Sequence, residues 1–129
     1  MRLLIIDQNA ESVSALCEAL GTGHAAVVTG NWLEALSHLK AGCFEVALMN
    51  FDLSGFPGLK FVLSRLPELY PQICFIAYGQ GAAVQQARRH GTVEVLPLPF
   101  TPEKLRQALA VRRPDLVLRP TARRTFRQL

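Results

Sequence analysis

Polar side chains follow two apolar runs of the chain at the points where those runs end. Asp7 and Gln8 follow a run of four apolar residues, and Asn50 and Asp52 follow another that begins at Val46. A carboxylate in such a place can bind a cation or act as a nucleophile, whereas an amide is a poor nucleophile and a poor Mg²⁺ ligand. The question is whether Asp52 could act where Asn50 cannot.

The two runs belong to a larger pattern of five short apolar segments that alternate with helical patterns. Near-continuous apolar strands are typical of sheets covered on both faces, and parallel strands need long crossovers. The pattern therefore predicts an α/β fold with a single, doubly wound, five-stranded parallel sheet, whose ligand sites lie outside the carboxyl ends of the strands. The predicted strands are 3–6, 25–28, 46–49, 73–77 and 93–96.

Capping signals predict where several helices begin and end. Asn31 followed by Glu34 resembles a capping box, and Thr101 before a proline predicts a helix over about 102–112. The helix between the third and fourth strands is expected to end at Pro67, because proline lacks an N–H and crowds the preceding turn.

The sequence gives little support to a nucleotide or flavin site. No G-x-x-x-x-G-K-[ST] loop occurs, and the first turn, DQNAES, lacks the glycines that a phosphate needs for close approach. The stretch GQGAAV, 79–84, has two glycines but carries Val84 where a third Gly or Ala is expected, and it follows the fourth strand instead of the first. This match is weak.

Metal and thiol chemistry are also disfavoured. Cys17, Cys43 and Cys74 form no C-x-x-C pair, and the three histidines show no ligand spacing. We expect the cysteines to be buried free thiols and predict no metal site.

The basic charge is concentrated in a C-terminal tail. The chain has 129 residues, which suits one domain, and a net charge of +4, but residues 112–129 hold six arginines and only one acid. A linker to an output domain is favoured for this tail, with a nucleic-acid arm using Arg123, Arg124 and Arg127 as the alternative. No apolar run is long enough for a membrane span and no secretory signal is visible, so we expect a cytoplasmic protein.

Residues 2–112 resemble the receiver domain of bacterial two-component response regulators. The resemblance is carried by LLIIDQN, NFDLSGFPGLKFV, AYG and HGTVEVLPLPFTPEKL, the last being similar to the family's G-A-x-x-Y-L-x-K-P-F sequence. It implies a flavodoxin-like (β/α)5 domain over 1–112, with the basic tail at 113–129. In this family an aspartate at the end of the third strand accepts a phosphoryl group with Mg²⁺ bound.

Mapped by this resemblance, the working parts of a receiver are mostly replaced. The acceptor becomes an amide, the acidic pair keeps one acid, and the hydroxyl residue and the lysine become aliphatic. Carboxylates about 4 Å apart repel by roughly 4 kcal/mol at an effective dielectric near 20, so losing them removes the need for the counter-ions. Leu98 could then pack where the lysine would be, and Ile76 could fill the hydroxyl's space. The degenerate site comprises Asp7, Gln8, Asn50, Ile76 and Leu98.

We interpret the chain as a degenerate receiver that is not an enzyme, needs no Mg²⁺ and acts through phosphorylation-independent contacts with a protein partner, an output domain or a second copy. The alternatives are a receiver phosphorylated at Asp52, a small ligand in the vacated pocket, or a DNA-associated module that uses the tail. Asp52 is otherwise a solvated loop residue or a cap for the next helix along the chain, and the partner face is otherwise an ordinary solvated surface. The predicted partner face comprises Arg88, Arg89, Val95, Leu98, Phe100 and Lys104.

Overall fold

The computed structural model describes residues 1–21, 23–99 and 101–116. Its strands are β1 (Arg2–Ile6), β2 (Ala25–Thr29), β3 (Val46–Asn50), β4 (Cys74–Tyr78) and β5 (Glu94–Val95). Its α-helices are α1 (Ala10–Leu20), α2 (Trp32–Ala41), α3 (Leu66–Leu69), α4 (Ala82–His90) and α5 (Pro102–Arg112), with a π-helical turn at Phe61–Arg65 and a 3₁₀ turn at Pro114–Leu116.

All five strands are parallel, in the order β2-β1-β3-β4-β5. This is the flavodoxin-like order of a doubly wound sheet, and it confirms the predicted fold class. The bounds of β4 lie one residue later than predicted, and β5 contains two residues instead of four. The shift in β4 matters because it changes which side chain reaches the carboxyl edge.

The sheet is buried on both faces, as the apolar strands indicated. Side chains of alternate strand residues point to opposite faces. One face, with Leu4, Ala47 and Phe75, packs against α2, the π turn, α3 and α4, while the other face packs against α1 and α5. The second face includes Ile5, Leu48 and the last residue of β4. The same alternation decides which side chains at the carboxyl ends of the strands point to this face.

The predicted helix caps are present. The Asn31 side chain accepts hydrogen bonds from the N–H groups of the first turn of α2, and the Thr101 hydroxyl accepts one from Lys104 N–H. The capping box at α2 is incomplete, because the Glu34 carboxylate accepts a hydrogen bond from the Thr29 hydroxyl and not from the N-cap backbone. None of the described helices is long and apolar enough to cross a bilayer.

The helix before β4 does not end at Pro67, contrary to the prediction. Helical backbone runs from Leu59 through Leu69, and the turn before the proline widens so that Leu66 N–H donates to Phe61 C=O. Proline has no N–H to donate and its ring crowds the preceding turn. Here the chain widens the turn into a π conformation and the helix continues.

The cysteines are placed differently from the prediction. Cys17 and Cys43 are exposed, because Cys17 lies at the solvent margin of α1 and Cys43 lies in the connection before β3. Only Cys74, the first residue of β4, is buried, and burial raises the pKa of its thiol to about 11.

The C-terminal end of α5 is tied to the segment that leads into β5. The Arg112 guanidinium donates to the Glu94 carboxylate at 2.7 Å, to Thr92 C=O at 2.9 Å and to Gly91 C=O. These bonds hold α5 against the edge of the sheet next to α4. The helix predicted over about 102–112 is present as Pro102–Arg112.

Candidate functional site

Three strand ends meet at the centre of the carboxyl edge. Ile6 pairs with Met49 and Asn50 pairs with Tyr78, so the residue after β1 and the last residues of β3 and β4 lie at one level. Side chains alternate along each strand, and these three share the face that packs against α1 and α5. Asp7, Asn50 and Tyr78 are thereby brought together.

The Asp7 carboxylate is the centre of a hydrogen-bond network. One oxygen, Oδ1, accepts from the Asn50 amide nitrogen at 3.1 Å and from Asn9 N–H at 3.0 Å. The other, Oδ2, accepts from the Tyr78 hydroxyl at 2.7 Å. Both oxygens of this side chain are therefore satisfied by neutral donors.

Burial makes this network energetically important. Asp7 is 1% exposed and Tyr78 is 2% exposed, and within the described residues no ion pair involves Asp7. A buried carboxylate without donors would be strongly unfavourable, so each of these hydrogen bonds carries weight. Burial and the hydrogen bond to the neighbouring Asp7 raise the pKa of the Tyr78 phenol far above its usual range. The phenol therefore stays protonated and remains a donor.

Asn50 is held in a fixed orientation at both ends of its amide. Its carbonyl oxygen accepts from Asp52 N–H at 2.8 Å, and its NH₂ group donates to Asp7. These two contacts distinguish the oxygen from the nitrogen. The half-buried Asn50 therefore presents a donor to the carboxylate, where a divalent cation would require an oxygen ligand.

Asp52 lies beyond the end of β3, as predicted, and its carboxylate caps a helix. Oδ2 accepts from Gln80 N–H at 2.6 Å and Oδ1 accepts from Gly81 N–H at 3.0 Å, where Gly81 is the N-cap residue of α4. The prediction named the helix that follows in the chain as the one to be capped. The capped helix is instead the one after β4, because β3 and β4 are neighbours in the sheet.

Two of the predicted site residues are not brought to the centre of this edge. Ile76 pairs with Leu48, one full side-chain repeat inside the sheet, and is completely buried in the core. Leu98 was expected to pack in place of a lysine, but it is 37% exposed. The mapping by resemblance missed the end of β4 by two residues, because the turn and helix between Tyr78 and Gly91 are two residues shorter than that mapping assumes.

Gln8 lies at the same edge but faces solvent. Its side chain is exposed and crosses Gly30, where an added Cβ would lie 2.8 Å from the Gln8 Cβ. The glycine that ends β2 therefore makes room for the residue that follows Asp7. No network hydrogen bond from Gln8 accompanies this packing among the described contacts.

Most of the residues predicted to form a partner face lie within the described part of the chain. Arg88 and Arg89 are exposed in the last turn of α4, and Val95 is half-buried in β5. Lys104 is half-buried and donates from Nζ to Pro99 C=O at 3.2 Å. Phe100 lies outside the described residues, as do the tail arginines Arg123, Arg124 and Arg127.

Sequence reasoning missed Tyr78. It belongs to the AYG stretch, and a polar aromatic residue at the end of an apolar strand is a recognisable signal, because a buried phenol usually finds a hydrogen-bond partner. Tyr78 lies two residues after Ile76 in β4, and this spacing predicts that both side chains point to the face that Asp7 and Asn50 share.

No protein-family model matches the chain, and no curated protein matches it by sequence. Solved structures do match it in fold. A receiver domain protein (CheY-like) from Methanospirillum hungatei JF-1 is 19% identical with a TM-score of 0.69, over 85% of this chain and 90% of that one. The chemotaxis protein CheY4 of Vibrio cholerae is 20% identical with a TM-score of 0.66, over 85% of this chain and 96% of that one.

A third match is a protein described as an atypical orphan response regulator with a phosphorylation-independent regulatory mechanism. It is 15% identical with a TM-score of 0.70, over 92% of this chain and 100% of that one. At these identities the likeness concerns the fold. Together with the sheet order, the matches show that this chain has the fold of response-regulator receiver domains.

Proposed function

We propose that the chain is a receiver-like signalling module that works through protein contacts without a phosphorylation cycle and without Mg²⁺. The observation that carries the proposal is the Asp7–Asn50–Tyr78 network. A phosphoryl acceptor must be a free nucleophilic carboxylate beside a metal ion, and Asn50 offers an amide whose two ends are already engaged.

The phenol supports the same proposal. A phosphoryl group at this edge would bring negative charge beside the buried Asp7 carboxylate, and the neutral Tyr78 hydroxyl offers one hydrogen bond but no positive charge. The fold neighbour described as phosphorylation-independent gives a precedent for such a module. On this proposal the chain is not an enzyme, and it acts in the cytoplasm by binding a partner or an attached output domain.

The face for such a partner is proposed to be the one formed by α4, β5 and α5. Arg88 and Arg89 give it a basic margin, and the exposed Leu98 gives it an apolar contact. Phosphorylation at Asp52 is the less favoured alternative, because both oxygens of its carboxylate already accept hydrogen bonds from backbone N–H groups.

The proposal is tested by adding beryllofluoride with Mg²⁺ to the ¹⁵N-labelled protein and recording amide chemical shifts. We expect no change at the amides of Asn50, Asp52 and Tyr78, and no phosphoryl adduct by intact mass after treatment with acetyl phosphate. The Asn50→Asp variant is the matched control. Saturable shifts or an adduct in the wild-type protein, at Asp52 or elsewhere on this edge, would refute the proposal.

A further inference from the structure

The segment Gly79–Gly81 belongs to the weakly matching GQGAAV stretch, and it wraps around an anionic group of the chain itself. The Asp52 carboxylate accepts the N–H groups of Gln80 and Gly81, at 2.6 Å and 3.0 Å. Gly81 has no side chain, so α4 has no side-chain cap of its own. A residue from the β3 loop therefore supplies the N-terminal cap of this helix.

The two glycines fit this carboxylate for different reasons. Gly79 has a φ of 149°, a conformation that residues with a side chain rarely adopt, and an added Cβ would lie 2.9 Å from the Asp52 carboxylate. Gly81 has a φ of −83°, which any residue can adopt, but its added Cβ would lie 2.8 Å from Asp52 Oδ1. At Gly81 the close approach of the carboxylate leaves no room for a side chain.

Asp52 is well placed to act as a fixed ligand. The side chains on either side, Phe51 and Leu53, are buried at 4% and 5% exposure, and Phe51 N–H donates to Tyr78 C=O at 2.9 Å. The Asp52 N–H is bonded to Asn50, which is bonded to Asp7. A continuous chain of hydrogen bonds thus runs from the buried carboxylate to the two residues that immediately precede α4.

We propose that Gly79–Gly81 and the N-terminus of α4 form an internal carboxylate-binding site whose ligand is Asp52, and that its occupancy fixes where α4 begins. Backbone N–H groups at a helix N-terminus favour a negative charge, through both the unpaired donors and the helix dipole. Because α4 ends in Arg88 and Arg89, the site also sets the position of the basic margin of the partner face. This last consequence rests on the proposed function; the binding site itself does not.

The test is a double-mutant cycle on the full chain, read at the Gln80 amide by hydrogen exchange. Asp52→Ala removes the ligand. Gly81→Ala keeps the ligand but places a methyl group where the carboxylate lies, without straining the backbone. Each single variant should speed Gln80 exchange by about five- to tenfold, the size of effect expected from losing a side-chain cap.

In the Asp52→Ala background, Gly81→Ala should have a clearly smaller effect than it has alone, since no carboxylate is left to displace and only the lower N-cap preference of alanine relative to glycine remains. The Arg88 and Arg89 amide shifts should move in both single variants. Glu103→Ala, which removes an exposed acid from the first turn of α5, is the matched control and should leave Gln80 unchanged.

Equal, additive effects of the two substitutions, or no effect of Asp52→Ala on Gln80, would overturn the proposed site. Unchanged Arg88 and Arg89 shifts alongside a coupled Gln80 response would overturn its role in positioning α4. Neither result resembles the beryllofluoride response that would refute the proposed function, so the failures are distinguishable.

Discussion

Two aspartates lie at the same edge of the sheet, joined through one asparagine, and they are held in opposite ways. Asp7 is buried and is satisfied mainly by the side chains of Asn50 and Tyr78. Asp52 is exposed and is bound by the backbone N–H groups that precede α4. The first contact joins three strands, whereas the second joins a loop to a helix.

The two sets of contacts contribute different things at this edge: those of Asp7 contribute stability, and those of Asp52 define a position. A buried carboxylate costs several kcal/mol unless its oxygens are hydrogen-bonded, so the partners of Asp7 are needed for stability. An exposed carboxylate is screened by water and contributes little stability, but two hydrogen bonds still define a position. The Asp7 network should therefore affect global unfolding, and the Asp52 contact should affect local order.

The largest expected effect comes from Asp7→Ala. The Asn50 amide and the Tyr78 hydroxyl would lose a buried acceptor, and the free energy of unfolding should fall by about 4 kcal/mol, at roughly 1–3 kcal/mol for each unsatisfied group. Urea denaturation measures this loss. Glu11→Ala, at an acid in the first turn of α1, is the control. A loss no larger than that of the control would remove the energetic contrast between the two aspartates.

Asn50→Asp should have the next largest effect. It places a second carboxylate where an amide now lies 3.1 Å from Asp7, and the repulsion should lower the free energy of unfolding at pH 7 by about 3 kcal/mol. Added Mg²⁺ should recover stability in this variant and leave the wild type unchanged; recovery in neither protein would count against our account of the edge.

Tyr78→Phe should cost about 2 kcal/mol at neutral pH, because Asp7 Oδ2 loses a buried donor. The folded-state pKa of Tyr78 is raised above the unfolded value of 10.0, so its contribution is complete below pH 10 and declines as the pH rises further. The stability difference between wild type and variant should therefore shrink above pH 10 in urea titrations. Tyr70→Phe is the control, and a difference that grew with pH would contradict the assignment.

Asp52→Ala should have the smallest effect on global stability, at most about 1 kcal/mol, because the carboxylate is exposed. The comparison is sharpened by measuring urea denaturation and Gln80 hydrogen exchange on the same sample. We expect a small change in the first and a clear change in the second. A global loss as large as that of Asp7→Ala would show that the two contacts are not separable.

Much of the fold follows from local signals in the sequence. The alternation of apolar strands and amphipathic helices predicts the parallel sheet, and Asn31 and Thr101 predict helix starts that the structure confirms. The signals fail where a local rule competes with packing. Pro67 should end its helix, but burial of Leu66 and the neighbouring turns keeps the helix together through a widened turn.

The candidate site was only partly predictable. Asp7 and Asn50 follow apolar runs closely enough to be placed at the edge from sequence, whereas Ile76 was placed there in error and Tyr78 was overlooked. Leu98 was expected to be packed and is exposed. These errors concern β4 and the segment that follows β5. Moving the end of either strand by one residue changes which side chain reaches the carboxyl edge of the sheet.

By itself the sequence determined the order of the elements, the apolar faces and the polar residues at the ends of β1 and β3, because these depend on neighbours along the chain. Only the tertiary structure decided that Tyr78 meets Asp7 and that Asp52 caps α4. Both contacts join segments that are far apart along the chain, and their partners are set by the registers of β1 with β3 and of β3 with β4, which local patterns do not encode.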